Sequence, residues 1–108
     1  MRLTNMKKCI PCEDKSVVPL TNEKIIHELS RIPGWTVANK KLSRKFSFPD
    51  FVSAMDFANR ITDIAEEEGH HPDLRISYGT VEVVLTTHSL GALTHNDFIV
   101  AGRIARVA

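Results

Sequence analysis

The feature that most limits how this chain can fold is a long helical stretch, about Phe51 to Glu68, opened by Pro49-Asp50 and closed by Gly69. Asp50 suits the N-cap, because a short carboxylate accepts from the unpaired amides of a first turn. Gly69 supplies the residue at positive φ that commonly ends a helix. Phe51, Ala54, Met55, Ala58 and Ala65 make one face, and Phe57, Ile61 and Ile64 extend it over half the circumference or more. A surface helix of a small monomer needs only about a 100° apolar stripe. The excess predicts a second partner for this helix, with another copy of the chain as the natural candidate.

The remaining elements arrange themselves around that helix. Thr21 is placed to cap a first helix, with Glu23 at its positive end and Ile25, Ile26, Leu29 and Ile32 as its stripe; Pro33-Gly34 ends it. Trp35-Thr36-Val37 and Leu42 to Phe48 read as two strands joined around Ala38-Asn39-Lys40-Lys41. In the second, Leu42, Arg44, Phe46 and Phe48 alternate with Ser43, Lys45 and Ser47. After the long helix, Leu74, Ile76 and Tyr78 alternate with Arg75 and Ser77, and Val81, Val83 and Leu85 with Glu82 and Thr86. Gly79-Thr80 between them predicts a two-residue type II′ turn. Thr94 starts a last helix carrying Phe98, Ile99, Gly102, Ile104 and Ala105. Helices that alternate with hairpins predict an α+β fold of order α-β-β-α-β-β-α, an antiparallel sheet with the helices on one face.

Size allows one domain and no more: the chain has 108 residues. Residues 1–19, polar and twice interrupted by proline, read as a flexible N-terminal arm, and 20–108 as the domain. A formal net charge of +1 supplies no basic field for nucleic acid. No apolar run approaches the roughly 18 residues of a membrane span, and no apolar segment follows the N-terminal charges as a secretory signal would require. A cytoplasmic location is therefore expected. Cys9-Ile10-Pro11-Cys12 forms a C-x-x-C without the βαβ context of a redox pair and without a second ligand pair for zinc, so it reads as two thiols in the arm, with a local disulfide or a metal shared between subunits as alternatives.

The chemistry concentrates at the end of the long helix. Glu66-Glu67-Glu68-Gly69-His70-His71-Pro72-Asp73 stops it with two adjacent histidines, and His88 follows the second hairpin. If the hairpin returns, three imidazoles can converge, and imidazole titrates near neutrality, at about pH 6.5. Pro72 stiffens the corner by pushing His71 toward extended geometry. The plainer roles are helix capping for His70 or His71, a capping box Thr94-His95-Asn96-Asp97 for Asp97, a solvated face for Glu66, and core or sheet-edge packing for Trp35 and Tyr78. A flat heteroaromatic substrate would need aromatics such as the last two. His27 and His95 read as solvent-facing.

The pattern Glu66-x3-His70-His71-Pro72-x5-Tyr78-x9-His88-x8-Asp97, together with Pro33-Gly34-Trp35 and Thr87-His88, resembles the signature of the pterin-4a-carbinolamine dehydratases over roughly Leu20 to Val107. The resemblance implies a four-stranded antiparallel sheet with three helices on one face. It implies a hydro-lyase that removes water from 4a-hydroxytetrahydropterin to give quinonoid dihydropterin, without metal or organic cofactor, as a homodimer or homotetramer. It also implies a link to the pterin-dependent aromatic amino acid hydroxylases. Carried over by position, His70 and His88 are the acid–base pair, in either order, and His71 binds and orients the pterin. Glu66 and Asp97 orient or tune the imidazoles, Trp35 lines the pocket, and Pro72 and Tyr78 bind or orient the substrate. One departure is visible: Gly91-Ala92-Leu93 stands where the family usually has Ala-Gly-Leu.

Two other readings compete. Some members of the family also serve as dimerisation cofactors of a transcription factor, so a copy of the fold could act as an interaction module. Alternatively, three histidines with an open position could hold a catalytic metal. Another pterin could also be the substrate.

Overall fold

A computed structural model describes Cys9 and residues 16–108; the rest of the expected arm, Cys12 included, lies outside the described residues. The element order is α1 (Asn22–Ser30), β1 (Thr36–Ala38), β2 (Lys41–Ser47), α2 (Phe51–Glu68), β3 (Asp73–Ser77), β4 (Thr80–Leu85) and α3 (His95–Val107). The strands form one antiparallel sheet in the order β1-β2-β4-β3. The expected α+β architecture is therefore present.

Alternation decides which face of the sheet is covered. Leu42 and Phe46 of β2 and Val81, Val83 and Leu85 of β4 are buried and join one core with Phe57, Ile61 and Ile64 of α2 and Val100, Ala101 and Ile104 of α3. The partly buried Ile25, Leu29 and Ile32 bring α1 onto the same core. On the other face Lys45, Ser47, Arg75 and Ser77 are exposed. At about 25 cal/mol per Å² of apolar surface removed from water, this shared core is what holds the helices to the sheet. Among the described residues no helix is long and apolar enough to cross a membrane.

Local capping sets the ends of α2 and α3. Asp50 accepts the Ser53 amide at 2.8 Å, and Gly69 closes α2 at φ 63°. The Asp50 carboxyl lies below the usual value because it accepts the Ser53 backbone and side-chain hydrogen bonds. Thr94 and Asp97 form the capping box of α3. Asn39 and Lys40, both at positive φ, make the two-residue turn between β1 and β2.

Three details depart from the sequence reading. Ile26 is 68% exposed: α1 turns only Ile25, Leu29 and Ile32 inward, and no residue of α1 is fully buried. Phe51 is likewise about half exposed, so the outer part of the wide apolar arc on α2, with Val52, faces away from the core. The β3–β4 turn is Tyr78-Gly79, one residue earlier than expected, because Ser77 pairs with Thr80. Gly79 does not adopt positive φ. Its carbonyl accepts the Phe48 amide at 2.8 Å, and a Cβ there would stand 2.9 Å from the Phe48 carbonyl oxygen. Close approach of two backbones, not turn type, is what demands glycine.

Candidate active site

The helix end at Gly69 delivers His70 inward and His71 outward. The His70 amide continues the terminal turn by bonding Ala65, and β3 begins three residues later, antiparallel to β4. Asp73, the first residue of β3, pairs with Val84 near the end of β4. The hairpin thus brings residues 70–71 and 87–88 to one end of the sheet, as the antiparallel return predicts.

His70 is the buried member. It is 6% exposed, and its Nε2 lies 2.7 Å from Oδ1 of Asp97, which is fully buried. The other carboxylate oxygen accepts twice, from the Thr87 hydroxyl at 2.9 Å and the Thr94 amide at 3.0 Å. The single Thr87 proton is spent on Asp97, so in the 2.8 Å contact between the two hydroxyls Thr94 must donate to Thr87. Thr94 accepts in turn from the Asn96 amide. The Asn96 amide, the Thr94 hydroxyl and the Thr87 hydroxyl thus form a donor chain that ends on the Asp97 carboxylate. One oxygen of Asp97 caps α3 while the other faces His70. A buried carboxylate is tolerated only when satisfied in this way.

His71 has the opposite surroundings. Its Nε2 lies 2.7 Å from Oε2 of Glu66, with side-chain exposures of 59% and 71%. Glu66, His71 and Pro72 line a shallow depression of about 130 Å³ between α2 and β3, walled by Ile61, Ala65 and Leu74. His88 is exposed and opens a tight turn: the Leu90 amide bonds the Thr87 carbonyl and the Gly91 amide bonds the His88 carbonyl. Gly91, at φ 59°, then lets Ala92 return to bridge Thr87. The exchanged Gly91-Ala92 pair thus sits where positive φ is required, and the loop beside His88 is closed.

Two aromatic candidates lie elsewhere. Trp35 is 5% exposed in the core, edge-on to Phe46 with centroids 5.9 Å apart, and its Nε1 is the one buried side-chain polar atom without a partner among the described residues. Tyr78, 71% exposed, occupies the β3–β4 turn at the end of the hairpin opposite the histidines. Neither is brought to the His70 network within one chain. Among the described residues no group of three or more His, Cys, Asp or Glu side chains is arranged to hold a metal ion.

The sequence reading passed over Thr87 as a bonding partner and over Glu68. Glu68 accepts the Cys9 amide at 2.8 Å and Arg103 at 2.8 Å, with its side chain 2% exposed. Burial pushes its carboxyl up, but the Cys9 and Arg103 hydrogen bonds outweigh that and hold it below the usual value. Arg103 also bonds Glu67 at 2.8 Å, the chief reason its guanidinium is held above its ordinary value. The acidic run is therefore not one solvated face. A signal for Thr87 was present: it is a polar residue next to a histidine at a strand end.

An antiparallel α+β sheet with a buried carboxylate–imidazole pair at the helix-to-strand corner defines the structural class, and comparison with known proteins narrows it. Residues 18–107 match the family model described as pterin 4 alpha carbinolamine dehydratase. A Rickettsia canadensis (strain McKiel) protein, provisionally named pterin-4-alpha-carbinolamine dehydratase, is 45% identical over 106 residues, 96% of each chain. An Arabidopsis thaliana protein named pterin-4-alpha-carbinolamine dehydratase 2, mitochondrial, is 41% identical over 91% of this chain, which spans 55% of that protein. Among solved structures, a transcriptional coactivator/pterin dehydratase from Brucella melitensis superposes with a TM-score of 0.81 at 30% identity, covering 84% of this chain and 99% of that one. A pterin dehydratase-like protein identified as a RuBisCO assembly factor in the alpha-carboxysome shares the fold, with a TM-score of 0.57 at 21% identity, over 68% of this chain and 86% of that one. The chain belongs to the pterin-4a-carbinolamine dehydratase family.

Proposed function

We propose that this protein removes water from a 4a-hydroxytetrahydropterin to give the quinonoid dihydropterin, by acid–base catalysis from His70, His71 and His88. The reaction needs one proton delivered to the departing 4a-hydroxyl and one taken from N5; the C4a–O bond breaks and the second pair of electrons closes the C=N bond. His70 and His88 carry the two proton transfers, and His71, backed by Glu66, orients the pterin. Asp97 positions His70, and Pro72 holds the corner.

The observation that carries this reading is the His70–Asp97 pair. A carboxylate that is buried and fixed by Thr87 and the Thr94 amide determines which ring nitrogen holds the proton and stops the ring from rotating. Such positioning is what separates a catalytic imidazole from a capping one, since each well-placed group contributes about 10²–10⁴-fold. Family membership supports the pterin as substrate, and the exposed apolar side chains Phe51 and Val52 at the start of α2 support a homo-oligomer.

Stopped-flow dehydration of synthetic 4a-hydroxytetrahydropterin tests it. Wild type should accelerate the reaction, and His70→Ala and His88→Ala should each lose at least about tenfold. Absence of acceleration by the folded wild type would leave the interaction-module reading in place of the enzyme.

A further inference from the structure

A second concave site lies away from the histidines. Between α1 and α3, over β2, is a cleft of about 560 Å³, within the range of about 300–1,000 Å³ common for small-molecule sites. His95, Ile99, Gly102 and Arg106 of α3 face it; their spacing marks one side of the helix, and Asp97 lies on another.

The charge of this cleft is unlike that of the chain as a whole. Among the described residues, four of the six arginines line it, and none of the four lysines does. Arg103 is neutralised by Glu67 and Glu68. Arg31, Arg44 and Arg106 form no ion pair among the described residues. Glu28, the one acid among the described wall residues, has its carboxylate 4.0 Å from His95 Nε2.

Arg31 and Arg106 stand at helix C-termini, where the helix dipole alone favours a cation. Arg44 has no such explanation. Half-buried, it occupies the core-facing side of β2 with Leu42 and Phe46. Its guanidinium is held: Nη1 donates to the Pro33 carbonyl at 3.3 Å, and the head lies 4.4 Å from the centroid of the Phe46 ring. The head packs against the backbone of Gly34, whose φ of 96° favours glycine. Gly102 adds an independent observation. A Cβ at this helix-interior position would meet nothing within 4 Å, so packing within the chain does not require glycine, and its absence of side chain keeps the cleft wall open.

We propose that this cleft binds a small phosphate compound carrying at least two negative charges. Arg44 is the fixed fork, whose planar donors match a phosphate bidentately, and Arg31 and Arg106 close on the ligand from the two helix ends. Ile32, Pro33 and Ile99 offer an apolar wall for the rest of the molecule. None of these residues belongs to the histidine network, so the site stands apart from the dehydratase reading.

The experiment is isothermal titration of the full-length protein with sodium tripolyphosphate in phosphate-free buffer, for wild type, Arg44→Met, the double variant Arg31→Gln/Arg106→Gln, and Arg75→Gln. The methionine keeps an unbranched stem over Phe46, and the double variant alters only exposed side chains should Arg44→Met fail to fold. Arg75, exposed on β3, controls for overall charge. One-to-one binding that weakens at least tenfold in the cleft variants and is retained in Arg75→Gln is the expected result. No saturable heat from folded wild type at millimolar probe, or an equal loss in Arg75→Gln, would overturn the proposal.

Discussion

His70 and His71 are neighbours in sequence, each 2.7 Å from a carboxylate, yet they sit in opposite environments. The His70–Asp97 pair is almost fully withdrawn from water and braced by Thr87 and Thr94, whereas both members of the His71–Glu66 pair are more than half exposed. Equal distances therefore do not mean equal energies. An exposed pair gains little, because water screens it and two mobile side chains must be ordered. A buried pair leaves an uncompensated polar group behind when either partner is lost. The contrast separates an imidazole fixed by the fold from one left exposed.

Removing Asp97 should break the contrast most severely. Asp97→Ala strands the His70 nitrogen, the Thr87 hydroxyl and the Thr94 amide together, and urea unfolding should register a loss of about 3 kcal/mol or more. The milder Asp97→Asn keeps the shape, so a fall in dehydration rate that exceeds its stability loss would isolate the positioning role. Glu68→Ala should come next, at about 2 kcal/mol, because the Cys9 amide and Arg103 lose a buried acceptor.

Glu68 also carries the pH dependence. Its folded carboxyl lies below the ordinary value of 4.5, so the folded state holds the proton less tightly than the unfolded chain. Its stabilisation is complete above about pH 4.5 and is lost as pH falls through the lower folded value. Acid titrations of the unfolding free energy should therefore be flatter below pH 4.5 for Glu68→Gln than for wild type.

Thr87→Val removes one donor to Asp97 and should cost about 1 kcal/mol, with a broader His70 NMR signature as the ring loses its brace. Glu66→Gln should be the smallest change, within about 0.5 kcal/mol, and should appear in KM rather than in stability. A stability loss from Glu66→Gln as large as that from Thr87→Val would erase the distinction between the two histidines.

Much of the architecture was legible because it is encoded locally. Asp50 and Gly69 bound α2 at the expected residues, and Thr94 begins α3, because caps act within one turn. Alternation in β2 and β4 assigned the core face correctly. The misread turn at Tyr78-Gly79 and the exposed Ile26 both depended on distant elements: the carbonyl of Phe48 in one case, the docking angle of α1 in the other. Within the candidate site, the residues His70, His71, His88, Glu66 and Asp97 stood out by type and spacing. Their inequality did not, since burial belongs to the assembled layers.

By itself, then, the sequence determined the element order, the helix ends, the covered face of the sheet and the titratable residues of the corner, because propensity, capping and alternation act over a few residues. Only the tertiary structure decided that Asp97 turns one oxygen to its own helix and the other to His70, that Glu68 is sealed under Arg103 and Cys9, and that Arg44 is held at the edge of a cleft. Those outcomes require side chains separated by tens of residues to meet in a space that exists only once sheet and helices have packed.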